Sequence, residues 1–489
     1  MIYDNLLTLT AKAPITSGLR QGDTFTPYAA LVERIGRLAA GFMERGIENG
    51  APVALLIPNS PDLFVTAHAL FAVGAVAMPL SETATRSERA TLARRTGPAA
   101  VVSTPALATA AELLIADVAP GLPLFLTDAL PEGSATARLP ELPGATPALY
   151  LFSSGSTGSP KVVPHTHAEL LADSGRASAA WDLQPDDIVL DMLPGNFAMG
   201  FLLGATQAVA RGATTLYWSD PMPLALSRGK LLDTMVGEHV TFMGAVPAMY
   251  EIIAGQGGGS DLGLRLAFSG GAALKRPVFE AVRRRLGITL RQDYGSTEAG
   301  MFSHNDCPDP DSSWDSVGRP AGDARVRIAA FDTGFGPSVG EMEIRSSSLM
   351  RGYLDDAVAD ARAFDEGWFR TGDLASLDEE GRIFLRGRSK LLIEVSGYKI
   401  DPVEVEETLM SSPAVAEAAV AGLPDPRIGN RLIAFVVKEA EISADALIRF
   451  ARERLSVQKV PAEITFVDAL PRSPAGKVLR ARLVEPQAG

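Results

Sequence analysis

The stretch SSGSTGSPK occupies residues 153–161, and the interpretation of the whole chain depends on it. Its composition alone is typical of a flexible Gly/Ser linker. Its surroundings favour a different structure, because PALYLF (147–152) before it predicts a buried strand and HAELLADSGRASAAW (167–181) after it predicts a helix. A glycine-rich turn between a strand and a helix is a setting in which backbone amides bind anions. Linker and phosphate loop are both open at this point.

The residue types in this stretch suit a phosphate chain. Gly155 and Gly158 let a ligand approach the backbone closely. Lys161 supplies a cation that reaches phosphate as a point charge. Hydroxyl donors are available from Ser153, Ser154, Ser156 and Thr157. Lys161 does not follow a glycine, however, so the P-loop pattern is absent, and the G-x-G-x-x-G pattern is absent as well.

Composition excludes several classes of protein. The 489 residues include 46% hydrophobic and 21% charged residues, which is typical of a globular protein of about three domains. The formal net charge of −13 and the lack of a basic run argue against nucleic-acid binding. Cys307 is the only cysteine, which excludes internal disulfides and cysteine-based metal sites. The sequence shows no signal-peptide pattern and no apolar run long enough to span a bilayer, so we expect a cytoplasmic protein.

The first part of the chain predicts parallel sheets. VALLIP (53–58) and AVAMPL (75–80) are continuous apolar runs on either side of a predicted helix, DLFVTAHALFAV (62–73), and the same alternation continues further along the chain. Such runs are typical of parallel strands that helices cover on both faces. The pattern therefore predicts an α/β fold.

The texture of the sequence changes near residue 325. ARVRIAAF (324–331) and GEMEIRS (340–346) alternate apolar and polar residues, which predicts antiparallel strands in a small, barrel-like subdomain. After GRSK (387–390) the pattern is that of a compact α+β domain. We therefore predict a large N-terminal domain of residues 1–387, a small mobile C-terminal domain of residues 388–489, and a hinge near 388–390.

Four further motifs follow SSGSTGSPK in a fixed order. They are SGGAAL (269–274), RQDYGSTEAG (291–300), WFRTGDLASLDEEGRIFLRGRSK (368–390) and PRSPAGKVLRARL (471–483). Together the five motifs resemble those of the adenylate-forming superfamily, which includes acyl-CoA synthetases, aryl-acid ligases, adenylation domains of peptide synthetases and luciferases. The resemblance covers nearly the whole chain and implies that residues 153–161 form a phosphate loop.

The resemblance implies a ligase with two half-reactions. A carboxylate attacks the α-phosphorus of ATP and releases pyrophosphate, and the acyl group then passes from AMP to a pantetheine thiol. The reactants of the first step are both anions, so catalysis depends on positioning and charge neutralisation. The implied cofactors are ATP, Mg²⁺ and, as acceptor, CoA or the phosphopantetheine of a carrier protein.

The resemblance also implies which residues bind the nucleotide. Thr297 donates to the α-phosphate, Glu298 ligates Mg²⁺, and Lys477 bridges the attacking carboxylate and the α-phosphate. Asp373 accepts from the ribose hydroxyls, and Arg388 adds a ribose or phosphate contact. The β- and γ-phosphates are expected to contact Ser153, Ser154, Gly155, Ser156, Thr157, Gly158 and Lys161. The adenine is expected to contact Gly270, Gly271, Ala272, Asp293, Tyr294 and Gly295, with Asp293 at its amino edge and Tyr294 stacked on its ring.

The thiolation step implies a rotation of the small domain. Lys390 occupies the position of the family's hinge residue, and Gly397 in VSGYKI (395–400) would let a pantetheine arm pass close to the backbone. Lys399 is a candidate contact to carboxylate or phosphate, and a solvent-exposed lysine is the alternative.

The acyl pocket is predicted from segments that line it in the family. Its candidate residues are Asn196, Phe197, Gly244, Ser269 and Ser296. Peptide-synthetase domains carry an aspartate near Asn196, so α-amino acids are disfavoured here, since a buried ammonium would lack its partner. Asn196 resembles the residue that bonds ring substituents in ligases for hydroxylated aromatic acids, and an amide satisfied by backbone is the alternative. Phe197 stands where many acyl-CoA synthetases have histidine. We expect an aryl or other hydrophobic acid of modest size.

The acceptor is less defined by the sequence. CoA binding usually needs basic residues on the small domain, where this chain offers Lys459, Arg427 and Arg431. A carrier protein is therefore an alternative to CoA. A catalytically silent nucleotide-binding protein is a further alternative, but it would not need Lys477, Glu298 and Asp373 together.

Overall fold

The computed structural model describes residues 1–10, 14, 16–134, 136–153, 160–255, 262–330, 338–388, 393–395, 398–425, 429–455, 457–472 and 478–484. The α-helices are α1 (Ile2–Thr10), α2 (Tyr28–Glu44), α3 (Pro61–Val73), α4 (Arg86–Thr96), α5 (Ala108–Val118), α6 (His167–Ala180), α7 (Ala198–Leu202), α8 (Leu224–Gly237), α9 (Pro247–Ile253), α10 (Arg276–Leu286), α11 (Ala357–Ala363), α12 (Pro402–Met410), α13 (Ala444–Arg452) and α14 (Arg480–Val484).

The β-strands are β1 (Gly18–Gln21), β2 (Thr24–Pro27), β3 (Pro52–Leu56), β4 (Val76–Pro79), β5 (Ala100–Ser103), β6 (Leu124–Leu126), β7 (Pro147–Ser153), β8 (Lys161–Thr166), β9 (Ile188–Asp191), β10 (Thr214–Tyr217), β11 (Phe242–Ala245), β12 (Leu266–Ser269), β13 (Leu290–Ser296), β14 (Gly300–His304), β15 (Arg319–Pro320), β16 (Arg325–Ala329), β17 (Gly340–Arg345), β18 (Phe364–Asp365), β19 (Trp368–Leu377), β20 (Ile383–Arg388), β21 (Ile393–Val395), β22 (Tyr398–Ile400), β23 (Val415–Asp425), β24 (Gly429–Lys438) and β25 (Glu463–Phe466).

The chain divides into two compact units. The first comprises Met1–Val326, Ile344–Phe369 and Glu379–Phe384, and the second comprises Arg327–Glu343, Arg370–Asp378 and Leu385–Gly489. The second unit thus begins its last segment near the expected hinge and takes in two earlier segments as well. The domain boundary at 388–390 stays a prediction.

The first unit contains a nine-stranded sheet in the order β15-β14-β13-β12-β11-β9-β10-β1-β2. Its inner strands, from β13 to β1, are parallel, and antiparallel strands lie at both edges. The apolar runs DIVLDML (187–193), TTLYW (214–218), VTFMGAV (240–246) and LRLAFSGG (264–271) contain β9, β10, β11 and β12. Because parallel strands present their carboxyl ends along one edge, this sheet gathers the loops that follow them.

A six-stranded sheet in the same unit has the order β6-β5-β3-β4-β7-β8. Its last pair is an antiparallel hairpin in which Ser153 pairs with Lys161. The prediction of a strand–turn–helix around SSGSTGSPK is therefore wrong, because strand β8 intervenes before α6 begins at His167. The run KVVPHT contains β-branched residues, and Val162 and Val163 are buried, which favours a strand there.

One buried apolar cluster connects the two sheets of this unit. It contains Leu19 and Tyr217 from the nine-stranded sheet, Val53 and Leu55 from the six-stranded sheet, and side chains of α2 and α3. Helix α3 is buried along its length from Leu63 to Val73, as its apolar sequence predicts. The helices α2 and α3 thus belong to the core of the unit.

Two buried histidines make the first unit sensitive to acid. The His68 ring stacks on Phe64 with centroids 4.2 Å apart, and its Nε2 bonds to the carbonyl of Ala205 at 2.8 Å. His167 is fully buried. Burial lowers the pKa of each histidine to about 4. Unfolded histidines bind a proton near pH 6.5, so the free energy of unfolding should fall as the pH drops from 6.5 to 4, by up to about 3 kcal/mol per histidine.

Comparison of His167→Phe with the wild type isolates this effect. Burial raises the pKa of the Asp191 carboxyl to about 7, which gives a pH dependence of opposite sign, but Asp191 is common to both proteins and cancels. We expect the free energy of unfolding of the variant, relative to that of the wild type, to rise as the pH falls from 6.5 to 4. Above pH 7.5 this difference should stay constant. Chemical denaturation measures both. A difference that is flat from pH 4 to 8 would contradict the burial argument.

The second unit contains the predicted α+β elements of the C-terminal region. Its five-stranded sheet has the order β22-β21-β24-β23, with β25 parallel to β24. Helices α12 and α13 pack their apolar side chains, such as Val405 and Leu447, into the same core as Val420 and Val436. Another small sheet has the order β16-β17-β19-β18, with β20 paired to β19, and the division into units passes through its strands.

Candidate active site

The predicted acyl-pocket and adenine residues lie at one edge of the nine-stranded sheet. Strand β9 ends at Asp191, β11 at Ala245 and β12 at Ser269, and the register pairs Ala245 with Ser269. Strand β13 continues past this level to Ser296. Ligands of open parallel sheets bind in the crevice outside the carboxyl ends of the strands. The edge is therefore a candidate binding site.

Asn196 and Phe197 follow β9 and precede α7. Asn196 Oδ1 is buried and accepts no hydrogen bond from any described residue, and the same holds for the hydroxyl of Ser269. The alternative that backbone satisfies the Asn196 oxygen is therefore not met within the described residues. Phe197 keeps 38% of its surface exposed. An orphaned buried acceptor beside an exposed aromatic ring suits a ligand that carries a hydrogen-bond donor.

Three glycines at this edge are constrained either by close neighbours or by a positive φ. A Cβ on Gly244 would lie 2.3 Å from the Phe268 ring, and one on Gly270 would lie 3.2 Å from Met199 Sδ. Gly271 has a φ of +75°. The segment that contains Met199 thus meets the segment that follows β12, which brings two of the predicted pocket segments together.

Two apolar residues next to the predicted pocket residues belong to the core. Met243 is 1% exposed and packs with Leu190 and Tyr250, and Phe302 is fully buried. Neither side chain is available to line a cleft. The strand ends that carry Gly244 and Ser269 therefore pack against the hydrophobic core on one face.

Asp191 is a buried carboxyl that the sequence analysis did not identify. It is 1% exposed, Leu193 N donates to its Oδ1 at 3.3 Å, and its Oδ2 has no partner among the described residues. A Cβ on Gly204 would lie 2.3 Å from that oxygen, in a π-helical turn that follows α7. The sequence could have pointed to Asp191, because it ends the predicted parallel strand that became β9.

Asp293 has a structural task in addition to its predicted one. Trp181 Nε1 donates to Asp293 Oδ2 at 2.8 Å, and His304 Nδ1 contacts Oδ1 at 2.6 Å. Tyr294 is 8% exposed and lies edge-on to Phe302, with ring centroids 6.4 Å apart. The expected carboxylate at the adenine edge is therefore also the link between α6 and the β13–β14 hairpin.

The loop after β13 carries Thr297 and Glu298 and is held at several points. Ala299 N donates to Ser296 Oγ at 3.2 Å, which closes a turn around the two residues. His165 Nε2 lies 2.8 Å from the Thr297 carbonyl, and Met350 N donates to the Glu298 carbonyl at 2.8 Å. The two side chains thus extend from a fixed backbone.

Tyr353 connects two predicted site residues that are far apart in sequence. Its hydroxyl donates to Glu298 Oε1 at 3.0 Å, and Lys161 Nζ lies over its ring, 4.3 Å from the centroid. Tyr353 is 8% exposed. The sequence analysis did not find Tyr353, since no motif includes it.

Helix α6 fixes the start of β14 through two buried charges that were also missed. Asp173 accepts from Met301 N and from Gln207 Nε2, each at 2.8 Å. Arg176 donates to the carbonyls of Met301 at 2.9 Å and Ala299 at 3.4 Å. The sequence could have pointed to them, because an acidic and a basic residue three positions apart lie on one face of a helix and can interact.

In the second unit, the two predicted ribose contacts pair with each other. Arg388 Nε donates to Asp373 Oδ1 at 2.7 Å, and Asp373 N donates to Thr371 Oγ1 at 3.0 Å. Gly387 has a φ of +134°, and a Cβ there would lie 2.4 Å from Asp401 Oδ2. Only glycine fits beside the expected hinge.

The flanks of the C-terminal motif are described although Lys477 is not. Arg472 and Val478 form an antiparallel bridge, and Leu479 N donates to the Pro471 carbonyl at 2.8 Å. Arg480 forms a bidentate pair with the buried Glu406, with both contacts to Nη2 at 2.8 Å. Several predicted residues lie outside the described residues, namely Ser154, Gly155, Ser156, Thr157, Gly158, Lys390, Gly397, Arg427, Lys477 and the side chain of Lys399.

Two family models match the chain. The model of the AMP-binding enzyme covers residues 10–354, and that of the AMP-binding enzyme C-terminal domain covers residues 404–477. The chain belongs to the AMP-binding enzyme family. The predicted membership of the adenylate-forming superfamily is thereby confirmed.

Named relatives and a solved structure cover almost the whole chain. It is 30% identical to the sulfoacetate–CoA ligase of Cupriavidus necator, over 94% of this chain and 92% of that protein. It is 31% identical to the indoleacetate–CoA ligase of Aromatoleum aromaticum, over 95% and 94%. The structure of the O-succinylbenzoate coenzyme A synthetase of Bacillus subtilis with ATP and magnesium is 25% identical, covers 98% of this chain and 98% of that chain, and matches with a TM-score of 0.87.

These comparisons confirm the α/β fold class and the prediction of an AMP-forming carboxylic acid ligase. ATP as a substrate of this AMP-binding enzyme is part of that class. The acids in the names of the relatives differ, so they do not define one substrate. Within the described part of the chain, no helix combines the length and apolar character that a membrane crossing needs.

Proposed function

We propose that this AMP-binding enzyme is a cytoplasmic ligase that joins an aryl or other hydrophobic carboxylic acid to CoA. A carboxylate oxygen attacks the α-phosphorus of ATP, the bond to the β-phosphate oxygen breaks, and pyrophosphate leaves. The thiol sulfur then attacks the acyl carbon, AMP leaves with the electron pair of the broken C–O bond, and the thiol proton is released.

The observation that carries this proposal is the cluster of Lys161, Glu298 and Tyr353. It combines a cation from the end of the phosphate-loop stretch with a carboxylate from the loop after β13. Glu298 fits Mg²⁺, since a hard cation takes one carboxylate oxygen together with phosphate oxygens and water. Bound Mg²⁺ would neutralise phosphate charge, and Lys161 would add its charge to the β- and γ-phosphates with Ser153 and the loop residues 154–158.

The other nucleotide contacts keep their proposed roles. Thr297 is proposed to donate to the α-phosphate from its fixed turn. Each carboxylate oxygen has two lone pairs, so Asp293 can serve the adenine amino group while it accepts from Trp181 and His304. The backbone of residues 270–272 and of Gly295 is proposed to frame the adenine, and the Tyr294 ring is proposed to stack on it.

In the second unit, we assign the ribose to Asp373 and Arg388. Their ion pair fixes the carboxylate that would accept from the ribose hydroxyls. Lys390 is proposed as the hinge residue, Gly397 as the path of the pantetheine arm and Lys399 as a polar contact. The positive φ of Gly387 supports a special backbone turn next to this hinge.

CoA is the acceptor that we propose, and the similarity to two CoA ligases supports it. The basic residue expected for its 3′-phosphate, Lys459, forms an ion pair with Glu404 at 2.6 Å. The 3′-phosphate of CoA would therefore have to compete with Glu404 for Lys459, or bind to Arg431 instead. A carrier protein would need no such contact and is the alternative outcome of the experiment below.

The orphaned oxygen of Asn196 supports an acid that bears a hydrogen-bond donor. A buried acceptor without a partner costs about 1–3 kcal/mol, which a hydroxyl or N–H group on the substrate would recover. Phe197 and Ser296 are proposed to contact the apolar part of the acid. A hydroxylated aromatic acid meets both requirements.

Asn196→Ala should change the acid profile. We expect kcat/KM for hydroxylated aromatic acids to fall about tenfold relative to the same acids without the hydroxyl, because one hydrogen bond to the ring substituent is lost. Rates with paired acids in the same protein provide the control. An unaltered ratio would remove Asn196 from the pocket.

The proposed function is tested by ATP–pyrophosphate exchange against benzoates, cinnamates, fatty acids of several lengths and amino acids. Product analysis with CoA follows in the same samples. Exchange with one class of acid and formation of its CoA thioester is the expected result. Exchange without a thioester would replace CoA by a carrier protein, and no exchange with any acid would contradict the proposal.

A further inference from the structure

We propose that Tyr353 is a positioning residue that aligns the metal-binding carboxylate of Glu298 with the phosphate-binding ammonium of Lys161. The inference rests on the proposed function, because it uses the roles assigned there to Glu298 and Lys161. Tyr353 itself is given no contact with substrate.

The backbone around Tyr353 links the two segments that carry these residues. Residues 350–354 form a short strap in the first unit. At one end Met350 N donates to the Glu298 carbonyl at 2.8 Å, and at the other Leu354 N donates to the Val162 carbonyl at 3.1 Å. The strap is thus hydrogen-bonded to the residue that is predicted to bind the metal and to the neighbour of Lys161.

The strap is itself anchored at Tyr353. The backbone amide of Tyr353 donates to Asp360 Oδ1 at 2.7 Å, and Asp360 lies on α11. A Cβ on Gly352 would lie 2.7 Å from Asp360 Oδ2, so the strap passes close to this carboxylate. These backbone contacts position the Tyr353 side chain independently of its contacts with Glu298 and Lys161.

The phenol acts on Glu298 as a hydrogen-bond donor. A phenol is protonated at neutral pH, so the Tyr353 hydroxyl donates and the Glu298 carboxylate accepts. A neutral donor to a carboxylate forms a charge-assisted bond, which orients the carboxylate plane. Within the described residues, Oε1 accepts this bond and Oε2 accepts none, so one oxygen is fixed and the other remains for the metal.

The ring acts on Lys161 through its face. The ammonium lies 4.3 Å from the ring centroid, within the range of a cation–π contact. Lys161 has three rotatable donors on a flexible stem, and the ring restricts where the ammonium lies. One side chain therefore orders both the cation and the carboxylate that receive the Mg²⁺–phosphate group.

Two substitutions separate the two contacts. Tyr353→Phe removes the hydroxyl and keeps the ring below Lys161, whereas Tyr353→Leu removes both. Tyr28→Phe is the matched control, since it removes a buried phenol that donates to the Ala213 carbonyl at 2.6 Å, outside the site. The full-length proteins are titrated with ATP by isothermal calorimetry at a series of Mg²⁺ concentrations and without Mg²⁺, in the absence of any acid.

We expect Tyr353→Phe to raise the Mg²⁺ concentration for half-maximal ATP affinity about tenfold, with Mg²⁺-free ATP binding unchanged. Tyr353→Leu should weaken Mg²⁺-free ATP binding as well, and Tyr28→Phe should change neither. A Tyr353→Phe protein with wild-type Mg²⁺ dependence, or with tighter Mg²⁺ coupling, would overturn the inference alone. A wild-type protein that binds no Mg²⁺–ATP would overturn the proposed function, and the inference with it.

Discussion

Lys477→Ala is expected to slow formation of the acyl-adenylate by about 10²–10³-fold while ATP still binds. The proposed role of Lys477 is to neutralise the charge that develops as the carboxylate attacks the α-phosphorus, and alanine cannot supply it. ATP–pyrophosphate exchange measures this first step. Thioester formation from chemically prepared acyl-adenylate measures the second step, which should keep its wild-type rate.

The surroundings of the motif make this experiment interpretable. The Arg472–Val478 bridge and the buried Arg480–Glu406 pair close and anchor the chain on both sides of residues 473–477. Truncation of one side chain should therefore leave the unit folded. Lys438→Ala removes the same charge from the same unit, where the ammonium lies 3.3 Å from Glu441, and it should change neither rate by more than about twofold.

Two results would contradict the assignment of Lys477. An unchanged exchange rate would mean that the C-terminal lysine is not needed for adenylation. An equal loss in both half-reactions would indicate damage to the second unit as a whole, in which case Lys477 would be a structural residue.

Hydrophobic patterning predicted most of the secondary structure at the sheet edge. Continuous apolar runs such as VTFMGAV and LRLAFSGG form β11 and β12, because a parallel strand that is buried on both faces needs apolar residues at every position. Glycine positions were informative as well. Gly270 and Gly271 lie where backbone and side chains crowd together, as the SGG motif suggests.

Contacts between distant segments were not predictable in the same way. Tyr353 meets Glu298 across 55 residues, and no local pattern distinguishes a buried phenol that orients a carboxylate from one that fills space. Strand β8 was missed because KVVPHT is short and contains Pro164, which disfavours the inside of a sheet. It is the last strand of its sheet, where a proline is tolerated.

Asp293 illustrates the same limit for site residues. Its motif identified it as a nucleotide contact, but its bonds to Trp181 and His304 depend on segments 112 and 11 residues away. A carboxylate in a motif can thus serve the ligand and the fold at once. Substitution of Asp293 would test both roles together, so it separates them poorly.

Arg176→Met is expected to lower the free energy of unfolding of the first unit by about 3–5 kcal/mol, because it removes one partner of a buried charge network. The side chains of Arg176 and Asp173 are 2% and 3% exposed. Besides the Met301 and Ala299 carbonyls, Arg176 contacts Ser348 Oγ and donates to Asp323 Oδ1 at 2.9 Å. Methionine has a similar length but cannot donate to any of these acceptors.

The loss of the Arg176 guanidinium also destabilises the buried carboxylate of Asp173. Burial already raises the pKa of this carboxyl, and the nearby Arg176 guanidinium opposes that rise. Without Arg176 the carboxylate would be buried with only Met301 N and Gln207 as donors. Gly300, whose φ is +68°, lies so close to Asp173 that a Cβ would be 2.1 Å from Oδ1. The start of β14 therefore depends on this carboxylate.

A double-mutant comparison distinguishes a charge effect from a packing effect. Asp173→Asn with Arg176→Met removes both charges, so the double variant should lose less stability than the sum of the single losses. Arg34→Met is the control, since its pair with Asp62 is exposed and should contribute less than about 1 kcal/mol. Denaturant unfolding of the wild type, the two single variants, the double variant and the Arg34→Met control measures these differences. Additive losses would show that the charges of Arg176 and Asp173 are not coupled, and a loss as small as that of Arg34→Met would mean that α6 does not hold the β13–β14 hairpin.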